Sequence, residues 1–165
     1  AQYHLSCALA SNFVCALVQR SVELLGGCGF SKTDALHALA PLMRSNLAHL
    51  IEHGAVSALT GPIERGDTQT VQKHLSCLTE RDDRQLYALL GLEQVKMAQE
   101  KHPEQDYGTL AALLALANRW LSVEGGITAR SLTTERTFST CDTICSTAWR
   151  SWAVATSPVS NTWRL

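Results

Sequence analysis

From Tyr3 to Leu25 the chain runs without a proline or a glycine. Leu5, Leu9, Phe13, Ala16, Leu17, Val22, Leu24 and Leu25 recur at helical spacing and leave almost no polar face in the first half. A helix that is apolar nearly all round is a central, buried one, so this pattern points to an all-α fold packed around its first helix. Gly26-Gly27 is placed to end it. Three polar residues, His4, Ser11 and Asn12, interrupt the apolar surface. At ~100° per residue Ser11 returns to within ~20° of His4, and Asn12 lies ~80° away. They share one side of the helix. Buried polar groups need partners, so they either bond neighbouring backbone or line a pocket.

Glycine and proline divide the remainder. Gly26-Gly27-Cys28-Gly29 lacks the G-x-G-x-x-G spacing and follows no strand, so it reads as a flexible turn and not as a dinucleotide loop. Ser31-Lys32-Thr33-Asp34 resembles a capping box opening a second helix. That helix carries Ala35, Leu36, Leu39, Leu42, Met43, Leu47, Leu50 and Ile51, with Pro41 expected to kink or divide it and Gly54 to end it. Arg44, Asn46 and His49 fall on its polar side, which reads as a solvated face. A third helix is expected from Thr68 to about Leu78. A fourth follows a break at Thr79–Asp83 and ends near His102-Pro103. A fifth runs from Tyr107 to about Val123. No strand and no internal repeat stands out, so residues 1–123 read as one all-α domain.

Between the second and third helices lies Leu59-Thr60-Gly61-Pro62-Ile63-Glu64-Arg65-Gly66-Asp67-Thr68. Gly61 and Gly66 permit positive φ, and Pro62 fixes its own φ. Asp67 or Thr68 is placed to cap the next helix. Arg65 adds a forked cation suited to a carboxylate or phosphate. Such a loop at a helix N-terminus is a place for an anionic ligand group. From the residues alone the favoured reading is a surface turn whose Arg65 pairs with Glu64 or Asp67. The Arg65-Gly66-Asp67 triplet, an adhesion motif elsewhere, carries little weight at three residues.

Composition narrows the function classes. The 165 residues are 45% hydrophobic and 18% charged with a net charge of −1, so no electrostatic footprint for nucleic acid or an anionic membrane is present. No uninterrupted apolar run approaches the ~20 residues of a membrane helix, and no signal peptide is visible. Cysteines at 7, 15, 28, 77, 141 and 145 form no C-x-x-C pair, and those in the first helix behave as small hydrophobes; a reducing cytoplasm is expected. The chain opens on Ala1-Gln2 without Met, already in helical sequence, as expected of a piece of something longer. After Val123 the pattern changes to a Ser/Thr-rich tract with Trp149, Trp152 and Trp163 and no lysine. Residues 124–165 are expected to be a disordered or out-of-frame tail. The Cys141-x3-Cys145 spacing lacks partner ligands for a metal.

Tyr3-His4, Ser11-Asn12 and above all the 59–67 loop resemble a known family. This is the helical domain of unknown function 2520, which follows a Rossmann-like NADP-binding domain in predicted oxidoreductases related to 6-phosphogluconate dehydrogenase, ketopantoate reductase and pyrroline-carboxylate reductase. The resemblance spans about residues 2–103. It implies a C-terminal substrate-binding and dimerisation domain, with NADP held by an N-terminal Rossmann domain that this chain lacks. In several relatives a Lys and an Asn on the first helix are catalytic. Asn12 is similar to that Asn, and His4 stands where the Lys would be; no lysine lies on this helix. The resemblance thus implies hydride transfer to a carbonyl or imine of a small molecule. His4 would handle the proton, Ser11 and Asn12 would orient the substrate, and Thr60, Gly61, Pro62, Arg65, Gly66 and Asp67 would hold an anionic group or face a partner subunit. Expected partners are the chain's own Rossmann domain and a second copy, with no nucleic acid and no membrane. A stand-alone helical interaction or scaffold domain without catalysis is the alternative.

Overall fold

Seven helices and no strand make up residues 1–119, the part of the chain that the computed structural model describes. The all-α expectation holds for these residues. The expected tail at 124–165 lies outside them. The described residues belong to two compact units, one from Ala1 to Leu39 and one starting at Ala40.

In the first unit, α1 (Gln2–Ala10) and α2 (Asn12–Gly26) replace the single helix expected from the apolar pattern. The break is Ser11, at φ −125° and ψ −64°. Its hydroxyl bonds back to the Cys7 carbonyl at 3.0 Å, an i−4 bond that competes with the helix ladder and bends it. Nor is this a buried helix. Leu5 is 57% exposed, Phe13 56% and Leu24 52%; only Val22 is buried. The pattern correctly marked an apolar surface, but the described chain supplies nothing to cover it. Taken together, Gln2–Gly26 is also long and apolar enough, by length and composition alone, to cross a membrane. Single small polar residues break a strict apolar run without much lowering the average. A core helix and a signal sequence meet the same criterion.

α2 ends at Gly26, as the Gly26-Gly27 pair predicts, and the turn that follows is closed by Gly29. Gly29 adopts φ +89°, its N–H donates to Gly26 O at 3.0 Å, and the Phe30 N–H donates to Leu25 O at 3.2 Å. This is a Schellman cap with Gly29 in the left-handed position. Then α3 (Lys32–His53) begins at the expected capping box: the Asp34 N–H donates to Ser31 Oγ at 3.1 Å, and that hydroxyl donates to Asp34 Oδ2 at 2.6 Å. It continues through Pro41 without dividing.

The second unit holds the core. After α4 (Ala55–Ala58) and the 59–67 loop come α5 (Thr68–Cys77), α6 (Arg81–Lys101) and α7 (Gly108–Arg119). Ile63, Val71, Leu75, Val95, Tyr107, Leu110 and Leu114 form one buried cluster. α6 and α7 pack closely because Gly91 has no side chain: a Cβ there would stand 2.9 Å from Leu114 Cδ2 and 3.3 Å from Ile63 Cδ1. Arg84 donates to the Leu75 carbonyl at 3.0 Å, a cation at the C-terminal end of α5.

Candidate functional site

The candidate residues fall into two groups, one in each unit. His4, Ser11 and Asn12 belong to the first. All three are exposed. The helix break brings two of them together: Ser11 Oγ lies 2.7 Å from Asn12 Oδ1, and its single hydrogen is shared between that oxygen and the Cys7 carbonyl. His4 has no hydrogen-bond or ion-pair partner among the described residues. A groove of about 360 Å³ runs beside α2, lined by Val14, Cys15, Val18, Val22, Lys32 and Leu36, and none of the three candidates lines it.

The second group, in the 59–67 loop, is an ordered structure with its own internal bonding. Pro62 to Arg65 form a helical turn closed by a second Schellman cap: Gly66, at φ +68°, donates to Ile63 O at 3.0 Å, and Asp67 donates to Pro62 O at 2.8 Å. Arg65 N–H donates to Gly61 O at 3.1 Å and Thr68 N–H to Gly66 O at 2.9 Å. The amides of residues 65–68 are therefore all engaged within the loop. Asp67 is the cap of α5, accepting from the Thr70 N–H at 3.0 Å and from the Thr70 hydroxyl at 2.6 Å. Those two bonds hold its carboxyl below the usual range, helped by Arg65 and Lys73 against the effect of burial. A carboxylate of the chain itself thus occupies the helix N-terminus. Thr60 and Arg65 are exposed, Gly61 and Pro62 partly so. The guanidinium of Arg65 makes no ion pair among the described residues, with Glu64 and Asp67 included.

Glu64 is the residue that sequence reasoning passed over. Its side chain is only 15% exposed and accepts from His102 Nε2 at 2.7 Å, with Lys101 Nζ at 3.3 Å. Burial pushes this carboxyl up, but the hydrogen bonds and charges of His102 and Lys101 outweigh it and hold Glu64 below the usual carboxylate range. Lys101 also donates to the Leu59 and Ser57 carbonyls, at 2.8 and 3.2 Å, at the end of α4. Tyr107, 1% exposed, donates to the Glu64 carbonyl at 2.5 Å, and Gln105 Nε2 donates to the Arg65 carbonyl at 2.9 Å. Burial, then the charges of Glu64 and Glu104, raise the Tyr107 hydroxyl. Four residues between 101 and 107 therefore hold the loop. An ionised, doubly bonded Glu64 is an anchor, ill suited to move protons. The sequence-level signal was an acidic side chain next to the core residue Ile63; its partners, about 40 positions away, have no local signature.

Elsewhere in the second unit, His74 Nδ1 and the Tyr87 hydroxyl are 2.9 Å apart. Burial lowers the His74 imidazole, against the charge of Asp67, and pushes the Tyr87 hydroxyl up to about 12. Tyr87 thus stays protonated at physiological pH, and His74 is biased towards the neutral form. As for a cofactor, the described helices offer no strand, glycine turn and helix to cradle a dinucleotide pyrophosphate. The only run of adjacent glycines among them, at 26–29, is spent closing α2.

No curated protein and no solved structure matches this chain. One family model does, over residues 1–94: "Domain of unknown function (DUF2520)". That stretch exceeds half of the 165 residues and includes α1, α2 and the whole 59–67 loop, so the chain belongs to the DUF2520 family.

Proposed function

We propose that this chain is the substrate-binding and dimerisation domain of an NADP-dependent oxidoreductase. The nicotinamide cofactor, which would supply hydride, would be bound by a separate Rossmann domain joined to its N-terminal side. The observation that carries the reading is the exposed apolar surface of α1 and α2, with Leu5, Leu9, Phe13, Leu17 and Leu24 open to solvent. A surface of that size and character is covered in an assembled protein. The hydrogen-bonded pair Ser11–Asn12 sits at the break within it, placed to orient a polar group of a small substrate. His4 is an exposed imidazole available for proton transfer. With the loop amides and the α5 N-terminus occupied, the guanidinium of Arg65 is the loop group left to hold an anionic substrate or face a partner subunit.

A second reading is a helical interaction domain without chemistry. The occupied amides of the 59–67 loop favour it. The coding sequence directly upstream of Ala1 separates the two. A strand, a glycine-rich turn and a helix continuous in frame support the oxidoreductase, and in that longer protein His4→Ala and Asn12→Ala lower kcat for NADPH oxidation with helix content unchanged. An in-frame stop next to Ala1 leaves the interaction domain.

A further inference from the structure

His49 and His53 stand one turn apart on the exposed C-terminal half of α3, a placement that puts both imidazoles on one helix face. Their rings meet edge to face, with centroids 4.5 Å apart and planes at 82°. The hydrogen bonding orients one of them. His53 Nδ1 lies 3.3 Å from the His49 carbonyl and 3.9 Å from Glu52 Oε2. Both groups only accept, so Nδ1 carries a hydrogen, and in the neutral ring the free lone pair is that of Nε2. A ring N–H fixed on a backbone carbonyl is the usual second-shell support of a metal-binding histidine, and the His53 side chain is half exposed. We propose that His49 and His53 form a two-imidazole site for a late first-row divalent ion of the zinc, nickel or copper type.

Nitrogen–metal bonds of ~2.0–2.1 Å let one ion bridge rings at this separation. Two neutral nitrogen donors select these borderline ions over magnesium or calcium, which take oxygen. Among the described residues no group of three or more His, Cys, Asp and Glu stands together to hold a metal. Among the described residues the two imidazoles are thus the site's protein ligands, which leaves further coordination positions open. His49-Leu50-Ile51-Glu52-His53 also has the H-x-x-E-H spacing of one class of zinc peptidases. That chemistry needs a third protein ligand, so the proposal is for binding and not for hydrolysis.

The test is calorimetric titration of the full chain with Ni2+, alone and in three single variants. His49→Gln and His53→Gln each remove one of two ligands and are expected to weaken one Ni2+ site at least ~10-fold, while His37→Gln, earlier on the same helix, leaves it unchanged. The double variant Ile51→His/His53→Gln keeps two imidazoles but turns them to opposite sides of the helix, and is expected to stay weak. Both histidines are exposed, so circular dichroism should report the same helix content throughout. The proposal is overturned if the wild type takes up no Ni2+ at millimolar concentration. It is equally overturned if the site survives the loss of His49 or His53, if His37→Gln weakens it as much, or if the Ile51→His/His53→Gln variant binds as the wild type does.

Discussion

Replacing Gly66 by alanine tests the most constrained point of the loop. At φ +68° any L side chain is strained, by roughly 1–2 kcal/mol for a left-handed residue. The new methyl would also stand 2.6 Å from Gln105 Nε2, the atom that donates to the Arg65 carbonyl. Gln105 must move, which removes a hydrogen bond worth about 0.5–1.5 kcal/mol. Together Gly66→Ala should cost about 2–3 kcal/mol. Gly61→Ala is the comparison: at φ +105° it is strained by its backbone alone, because its Cβ would point into open space. Its cost should therefore not depend on Gln105. Urea unfolding followed by far-UV circular dichroism reads both, and with m near 1–3 kcal/mol per molar the Gly66→Ala midpoint should fall by about 1 M. A double variant with Gln105→Ala relieves the clash, so the two changes should combine to less than their sum. If Gly66→Ala unfolds within ~0.5 kcal/mol of wild type, or its cost adds fully to that of Gln105→Ala, the account of the loop as a clamped left-handed turn fails.

Three further outcomes follow from the same coordinates. Glu64 sits below its usual pKa in the folded chain, so its contribution to stability is present above the unfolded value of 4.5 and is lost as pH falls through the lower folded value; Glu64→Gln should flatten the acid limb of a stability–pH profile below about pH 5. Gly91→Ala gains ~1 kcal/mol of helix propensity but must push Leu114 and Ile63 aside, an overpacking cost of about 1–3 kcal/mol, so thermal melting should show a net loss. Leu9→Asp with Phe13→Asp touches side chains about half exposed, so helix content should hold while any self-association seen by analytical ultracentrifugation is abolished; association that persists would place the contact elsewhere.

Local signals were legible where the chemistry is local. The Ser31–Asp34 box, the Asp67 cap and the breaks near residues 54, 67 and 79 each depend on side chains within a few positions of the backbone groups they bond. Where a choice depends on competition, the sequence reading slipped. Gly26-Gly27 was legible as the stop of α2, but the glycine that takes the left-handed position in the closing turn is Gly29, where the Phe30 N–H reaches back to Leu25 O. Pro41 was expected to kink or divide α3, and the division does not occur: the helix runs across it from Lys32 to His53. The apolar stripe of α1 and α2 was read as buried because the pattern reports only that a surface is apolar, not whether its cover lies in the same chain. The loop was legible as an ordered turn with two required glycines. Its anchors at Lys101, His102, Gln105 and Tyr107 were not, since a contact across forty residues leaves no periodicity to read.

Those anchors bear on where the domain stops. The family match closes at residue 94, inside α6, whereas the side chains of Lys101, His102, Gln105 and Tyr107 that fasten the 59–67 loop lie beyond it. A chain ended at 94 would keep the loop and lose its fasteners, along with Leu110 and Leu114 from the far side of the core. Ile63, Val71 and Leu75 would then face water, and the truncated piece should be insoluble or molten, however faithfully it preserves the family's matched sequence. The smallest piece of the second unit able to hold the loop's shape therefore extends through α7, and any survey of loop variants is best carried out in chains that retain it.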